Sequence, residues 1–168
     1  MTKKLGETKE EIKVDTLEEN KIAAIELVKQ ARYSIDIFTQ DMDEEIYNNQ
    51  EIEESIFKLA KRHPNTRVRI LVQDSRKAAQ NGHCLIRLAQ TLTSSVFIHN
   101  PAREYREEQC AFMVVDNIGL MYRVSAINKN YSASISFMSP QRAAKLSDFF
   151  TEVWEHSTPD VKTRRIYV

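Results

Sequence analysis

The stretch E-Q-C-A-F-M-V-V-D-N-I-G-L-M-Y-R, residues 108–123, opens with a polar pair, runs through six apolar residues and stops at Asp116 before a glycine-bearing turn. Residues 110–115 and 118–122 read as two strands joined at Asp116-Asn117-Ile118-Gly119. Asp116 is therefore either a catalytic carboxylate at the end of a buried strand or a turn residue. Asp and Asn favour such turns because their side chains hydrogen-bond nearby backbone.

On the N-terminal side, D-T-L-E-E (15–19) offers Thr16 as an N-cap with Glu19 three residues on. Leu17, Ile22, Ile25, Val28 and Ala31 then recur at helical spacing. Residues 33–41, Y-S-I-D-I-F-T-Q-D, alternate apolar and polar and run into Asp41 and then Asp43, as a strand entering a polar loop does. A helix over about 46–62 follows, ended by His63-Pro64. T-R-V-R-I-L-V-Q-D (66–74) is a second strand finishing in a carboxylate, H-C-L-I-R-L-A-Q-T-L (83–92) a helix, and S-V-F-I-H (95–99) a short strand. Ser139-Pro140 starts a helix carrying Leu146, Phe149, Phe150, Val153 and Trp154, and R-R-I-Y-V (164–168) reads as an edge strand. Helices alternating with strands predict an α/β class, with helices on both faces of a mixed, largely parallel sheet. The first 14 residues are charged and aperiodic and predict a flexible tail, leaving 15–168 as a single domain.

Composition narrows the functions. At 168 residues the chain can bury about 70% of the surface its unfolded form exposes, so no disulfide or metal staple is needed. The 24 basic and 24 acidic residues cancel, so net charge gives no support to nucleic-acid or anionic-membrane binding. Cys84 and Cys110 stand 26 residues apart, without a Cys-x-x-Cys spacing, and the opening residues lack a secretory leader pattern. A cytoplasmic protein with two buried thiols is expected, and no apolar run approaches membrane-spanning length. The three glycines, at 6, 82 and 119, cannot build a glycine-rich phosphate loop, so no nucleotide cofactor is expected.

The strand pair 33–41 and 66–74, separated by one helix, resembles the opening of the phospholipase D-like fold. V-V-D-N-I-G-L-M-Y-R (114–123) resembles the segment after that superfamily's His-x-Lys-(x)4-Asp motif. Registering the motif on Asp116 places Ala111 at the lysine position and Gln109 at the histidine position. None of His63, His83, His99 or His156 has a lysine two residues later. Residues 74–99 and 149–168 also resemble uncharacterised bacterial phospholipase D-like domains that lack the motif and are sometimes attached to acetyltransferase domains. Their recurrent features fall on Asp74, Gly82, His83, Ser94, Ser95, Trp154, Glu155, Arg164 and Arg165. The superfamily's chemistry, as the resemblance implies it, uses histidine to attack phosphorus and lysine to stabilise phosphoryl charge. Glutamine and alanine do neither.

The resemblance thus implies a catalytically degenerate domain acting as a binding or regulatory module for a phosphate-bearing ligand, nucleic acid or a protein partner, with a homodimer also admitted. The alternative is a hydrolase rebuilt around Asp41, Asp74 and His83, or an accessory subunit of an acetyltransferase. Ligands of open α/β sheets collect at the carboxyl ends of strands. Asp41, Asp74, Arg76, Gly82, His83 and Arg123 are the candidate binding residues. Gly82-His83 would offer free N–H groups and an imidazole to an anion; the plain alternative is a helix cap with His83 bonded to Asp74 or a loop carbonyl. Asp41, Asp43 and Asp74 have the oxygen ligands Mg²⁺ takes, but strand-end aspartates are common without a metal, and none is expected. Arg103, Arg106, Arg123 and Lys129 with Tyr105, Tyr122 and Tyr131 could stack on a single strand, although Glu104, Glu107 and Glu108 interleave with them.

Overall fold

In the computed structural model, which describes residues 3–128 and 130–164, Thr16 opens the first helix as its sequence predicts. The Thr16 hydroxyl accepts the Glu19 amide at 3.1 Å and donates to the Glu19 carboxylate at 2.8 Å, and α1 (Leu17–Lys29) follows. The chain continues through β2 (Ser34–Thr39), α2 (Glu44–Tyr47), α3 (Gln50–Arg62), β3 (Arg67–Val72), α4 (Arg76–Gln80), α5 (Cys84–Thr91) and β4 (Val96–Asn100). A 3-10 turn at Arg103–Tyr105 leads to β5 (Ala111–Val115), β6 (Gly119–Arg123), β7 (Ala133–Ser136), α6 (Pro140–Glu155) and β8 (Thr158–Pro159). The predicted helix over 46–62 is two, α2 and α3, because Asn49 caps α3 by accepting the Ile52 amide. The predicted final strand at 164–168 lies outside the described residues, apart from Arg164.

With β1 (Ile12–Val14), the strands form one mixed eight-stranded sheet in the order β1-β7-β6-β5-β2-β3-β4-β8. Among the described residues, parallel pairing is confined to β2–β3 and β3–β4, where a helical crossover precedes the incoming strand. The other five pairings are antiparallel, so the sheet is less parallel than helix–strand alternation suggests. The charged segment expected as a tail contributes β1, which pairs with β7. Before it, the Gly6 amide donates to Phe137 O at 2.7 Å and the Leu5 amide to the Gln30 side chain at 2.7 Å.

Strand alternation divides the core unequally. Ile35, Ile37, Val68, Ile70 and Val72 pack with Leu27, Ile52, Ile56 and Leu85 beneath α1, α3 and α5. Each fully buried side chain of this kind contributes about 1.5–3 kcal/mol. Phe38, Leu71, Phe112 and Val114 point to the other face, which α6 covers with Ala143, Phe150 and Val153. Asp36 and Arg69, polar members of their alternating strands, lie under α6 rather than in water. They form a two-point ion pair, Nε to Oδ1 at 2.9 Å and Nη2 to Oδ2 at 3.1 Å, and the guanidinium rests 5.0 Å from the Phe150 ring centroid. Burial raises the Asp36 pKa against the pull of Arg69.

Breaking that pair leaves a buried charge, whereas replacing both members does not. Asp36→Ala should destabilise by about 3–5 kcal/mol in urea unfolding, and the double variant Asp36→Leu/Arg69→Met should recover most of the loss. A double variant as unstable as the single one would contradict this.

Candidate functional site

Asp116 and its motif partners sit at opposite ends of β5. The five residue steps from Ala111 to Asp116 span about 17 Å of strand, which carries Asp116 to the end where β2 begins. There its Oδ2 accepts the Arg32 amide at 2.8 Å, and Oδ1 accepts those of Tyr33 at 2.7 Å and Ser34 at 3.0 Å. Asp116 (φ 55°) and Asn117 (φ 58°) are both left-handed, and the Ile118 amide bonds Val115 O at 3.0 Å, the geometry of a hairpin turn that Asp and Asn tolerate. The Asp116 carboxylate is structural: it clips the β5–β6 hairpin to the entry of β2.

The other end of the sheet is the candidate site. The end of β2, the start of β5 and the end of β6 lie side by side there, with Ala111 in register with Arg123. Alternation turns Arg123 to the side opposite Tyr122, and its Nη2 donates to Asp43 Oδ1 at 2.6 Å; these side chains are 4% and 12% exposed. Asp43 Oδ2 accepts the Thr39 hydroxyl at 2.8 Å, and that hydroxyl accepts the Met42 amide at 3.0 Å. Asp41 Oδ1 accepts the Asp43 amide at 3.0 Å. These bonds hold Met42 (φ 82°) and Asp43 (φ 41°) in the left-handed region, which costs of order 1–3 kcal/mol per non-glycine residue.

His83 braces the same segment from behind. Its Nδ1 accepts the Leu85 amide at 3.1 Å, capping α5, so the ring proton is on Nε2 and is donated to Met42 O at 3.0 Å. Both ring nitrogens are committed, and the Cys84 amide is taken by Asn48 Oδ1 at 2.9 Å. Of the two readings of Gly82-His83, an anion site or a helix cap with His83 on a loop carbonyl, these bonds are those of the cap, with His83 itself as the capping residue, and Gly82 O accepts from Arg87. Asp74 and Arg76 pair with each other at the surface at 2.7 Å, with Arg76 holding the Asp74 pKa down to about 2. Among the described residues no three His, Cys, Asp or Glu side chains are grouped to hold a metal ion, so Asp41, Asp43 and Asp74 do not converge.

Of the candidates, Asp41 and Arg123 come together, lining a cavity of about 350 Å³ with Gln40, Asp43, Ile127 and Tyr131. An adjoining cavity of about 260 Å³ is lined by Asp41, Asp43, Glu44, Glu45 and Lys77. Gln109 is exposed and its carbonyl accepts the Ala126 amide, while Gln40 Nε2 donates to the Glu108 and Cys110 carbonyls. The expected basic and aromatic stripe is dispersed: Tyr105 and Tyr122 pack toward α6, and only Arg123 and Tyr131 meet at the cavity. Lys129 lies outside the described residues. Burial pushes the thiols of Cys84 and Cys110 up to about 11, which leaves both unreactive. No helix among the described residues is long and apolar enough to cross a membrane.

A family model described as a domain of unknown function (DUF7931) matches residues 16–166. No curated protein matches the sequence. Among solved structures, the chain is similar to TrmBL2, an archaeal chromatin protein whose structure shows a novel mode of DNA binding (TM-score 0.67, 15% identity, 92% of this chain and 55% of that one). It is also similar to Nuc from Salmonella typhimurium, a phospholipase D family member (0.61, 12%, 90% and 99%), and to NucT from Helicobacter pylori (0.64, 11%, 90% and 99%). The chain therefore spans about half of TrmBL2 and nearly all of Nuc and NucT. At these identities the likeness is one of fold, and the α/β domain is phospholipase D-like, as the sequence resemblance implied.

Two stability measurements follow from the geometry. Asp116→Ala removes a charged acceptor from three amides and should cost about 1.5–3 kcal/mol, with Asp116→Asn between it and wild type; no change in the urea midpoint would refute the clip. Burial holds the His83 imidazole below its ordinary pKa, outweighing the opposing pull of the Met42 carbonyl and of Glu44. The unfolded chain therefore protonates first as pH falls. Stability is full above about pH 6.5 and is lost below it, at up to about 1.4 kcal/mol per pH unit. His99, also depressed by burial, adds in the same direction. Thermal midpoints at pH 7.5 and 5.5 should diverge less in His83→Asn than in wild type, and equal divergence would remove His83 from the account.

Proposed function

We propose that this chain, which belongs to the DUF7931 domain family, is a phospholipase D-like domain without phosphodiesterase chemistry that serves as a binding or regulatory module. The observation that carries this is the pairing at the sheet end: Ala111 stands across from Arg123, and Arg123 is neutralised by Asp43. The resemblance to motif-lacking bacterial phospholipase D-like domains agrees with it, because Gln109 and Ala111 occupy the positions of the nucleophile and the charge-stabilising group. Removing a covalent route and an electrostatic stabiliser together forfeits several powers of ten in rate.

A hydrolase rebuilt around Asp41, Asp74 and His83 has less support. His83 has no nitrogen to spare, Asp74 is spent on Arg76, and His99 stacks on Trp154 at 3.9 Å instead of facing the cleft. Charge grades the ligands as well. Asp41, Asp43, Glu44 and Glu45 line the adjoining cavities with Arg123 and Lys77, an environment that repels an extended polyanion. DNA binding, stated for TrmBL2, is therefore weaker support here than a small phosphate-bearing ligand or a protein partner.

Incubation with bis-p-nitrophenyl phosphate, with and without Mg²⁺ or Mn²⁺, should release p-nitrophenol no faster than buffer. Turnover that Asp43→Ala or His83→Ala abolishes would overturn the module reading in favour of a rebuilt active site.

A further inference from the structure

A guanidinium offers five N–H donors in a fixed plane, matched to the oxygens of carboxylate or phosphate. Arg123 presents its own beside the 350 Å³ cavity, yet the side chain is only 4% exposed, and the carboxylate it grips comes from the protein itself. Its remaining described contacts are weak: Nη1 to Asn130 O at 3.4 Å, and the Tyr131 ring centroid 5.8 Å away. The gripped residue arrives 80 positions earlier in the chain, through two consecutive left-handed non-glycine residues that depend on Thr39, Asp41 and His83 for support. The segment is pinned around the carboxylate.

We infer that the Asp43 carboxylate is an internal occupant of an anion site on Arg123, so that pairing with Asp43 and binding of a phosphate monoester group through the cavity exclude one another. The inference rests on the proposed reading of this cleft as a binding site and specifies its regulation. While Asp43 is seated the site is shut to external anions. A ligand's apparent affinity is then reduced by the small fraction of molecules in which Asp43 has swung out. The carboxylates of Asp41, Glu44 and Glu45 limit the entrant to one compact group, because a chain of phosphates would run its further charges against them.

The test is phosphate binding at constant ionic strength, read by calorimetry and by the thermal midpoint, with inorganic phosphate as the probe. Asp43→Ala should bind phosphate about 10- to 100-fold more tightly than wild type, the range of ordinary coupling between sites. Adding Arg123→Gln to that variant should abolish the gain. Asp36→Ala, which strips the carboxylate from the Arg69 pair beneath α6, should gain nothing. If Asp43→Ala does not fold, Asp43→Asn, which keeps one acceptor oxygen but removes the charge and the second acceptor, should show a gain of the same sign. Equal phosphate binding by wild type and the Asp43 variants, or an equal gain in Asp36→Ala, would overturn the inference. A short oligonucleotide should bind no variant, and tight oligonucleotide binding by Asp43→Ala would overturn the limit to a compact group. Turnover of bis-p-nitrophenyl phosphate would sink the module reading alone, whereas absence of the phosphate gain would sink this inference alone.

Discussion

The buried contact between Asp43 and Arg123 sets the architecture at the candidate-site end of the sheet. It joins the loop after β2 to the last residue of β6, two strands that are separated in the sheet by β5. Desolvating a carboxylate and a guanidinium is costly unless the geometry is good and the remaining lone pairs are bonded. The 2.6 Å contact and the Thr39 hydroxyl on the second carboxylate oxygen meet that demand on the carboxylate side. The backbone bends to satisfy it, taking Met42 and Asp43 into a region that side chains ordinarily avoid.

His83 belongs to the same constraint from a different element. Its ring joins the first turn of α5 to the Met42 carbonyl, so a helix outside the sheet takes part in setting the cleft. The imidazole attracts notice as a potential catalytic group, but hydrogen-bond inventory decides otherwise: an amide can only donate and a carbonyl can only accept, so one tautomer serves both and nothing is left for substrate. The same inventory retires Asp116, whose two oxygens serve three amides.

Local signals in the sequence carried the fold well. The Thr16–Glu19 cap, the Pro140 start of α6 and the turn at Asp116-Asn117 each depend on residues within four positions, and each stands where its chemistry places it. What sequence could not show depends on distant partners. Asp36 and Arg69 read as the wet side of alternating strands, and only the arrival of α6, more than 70 residues after Arg69, makes that side an interior. β1 is too short for a period to register, and β7 is half serine, so its pairing with β6 outweighs a weak propensity. Arg123 and Asp43 were both noticed, one as a ligand-binding candidate and the other as a strand-end carboxylate, but not as partners. Nothing in a linear reading distinguishes the one aspartate of the loop that turns inward.

The brevity of β1 and β8 limits what the sheet offers to edge-to-edge pairing. A sheet of eight strands ends in two rows of unpaired backbone groups, and long flat borders of that kind template fibrils. Here the borders are three and two residues long. A fragment excised to begin at Asp15 would strip away the first of them, baring β7 and the Leu5 side chain's place beside Gly119. Such a trimmed protein would keep its cleft residues but expose an unpaired β7 edge, which the charged segment before Asp15 otherwise hems.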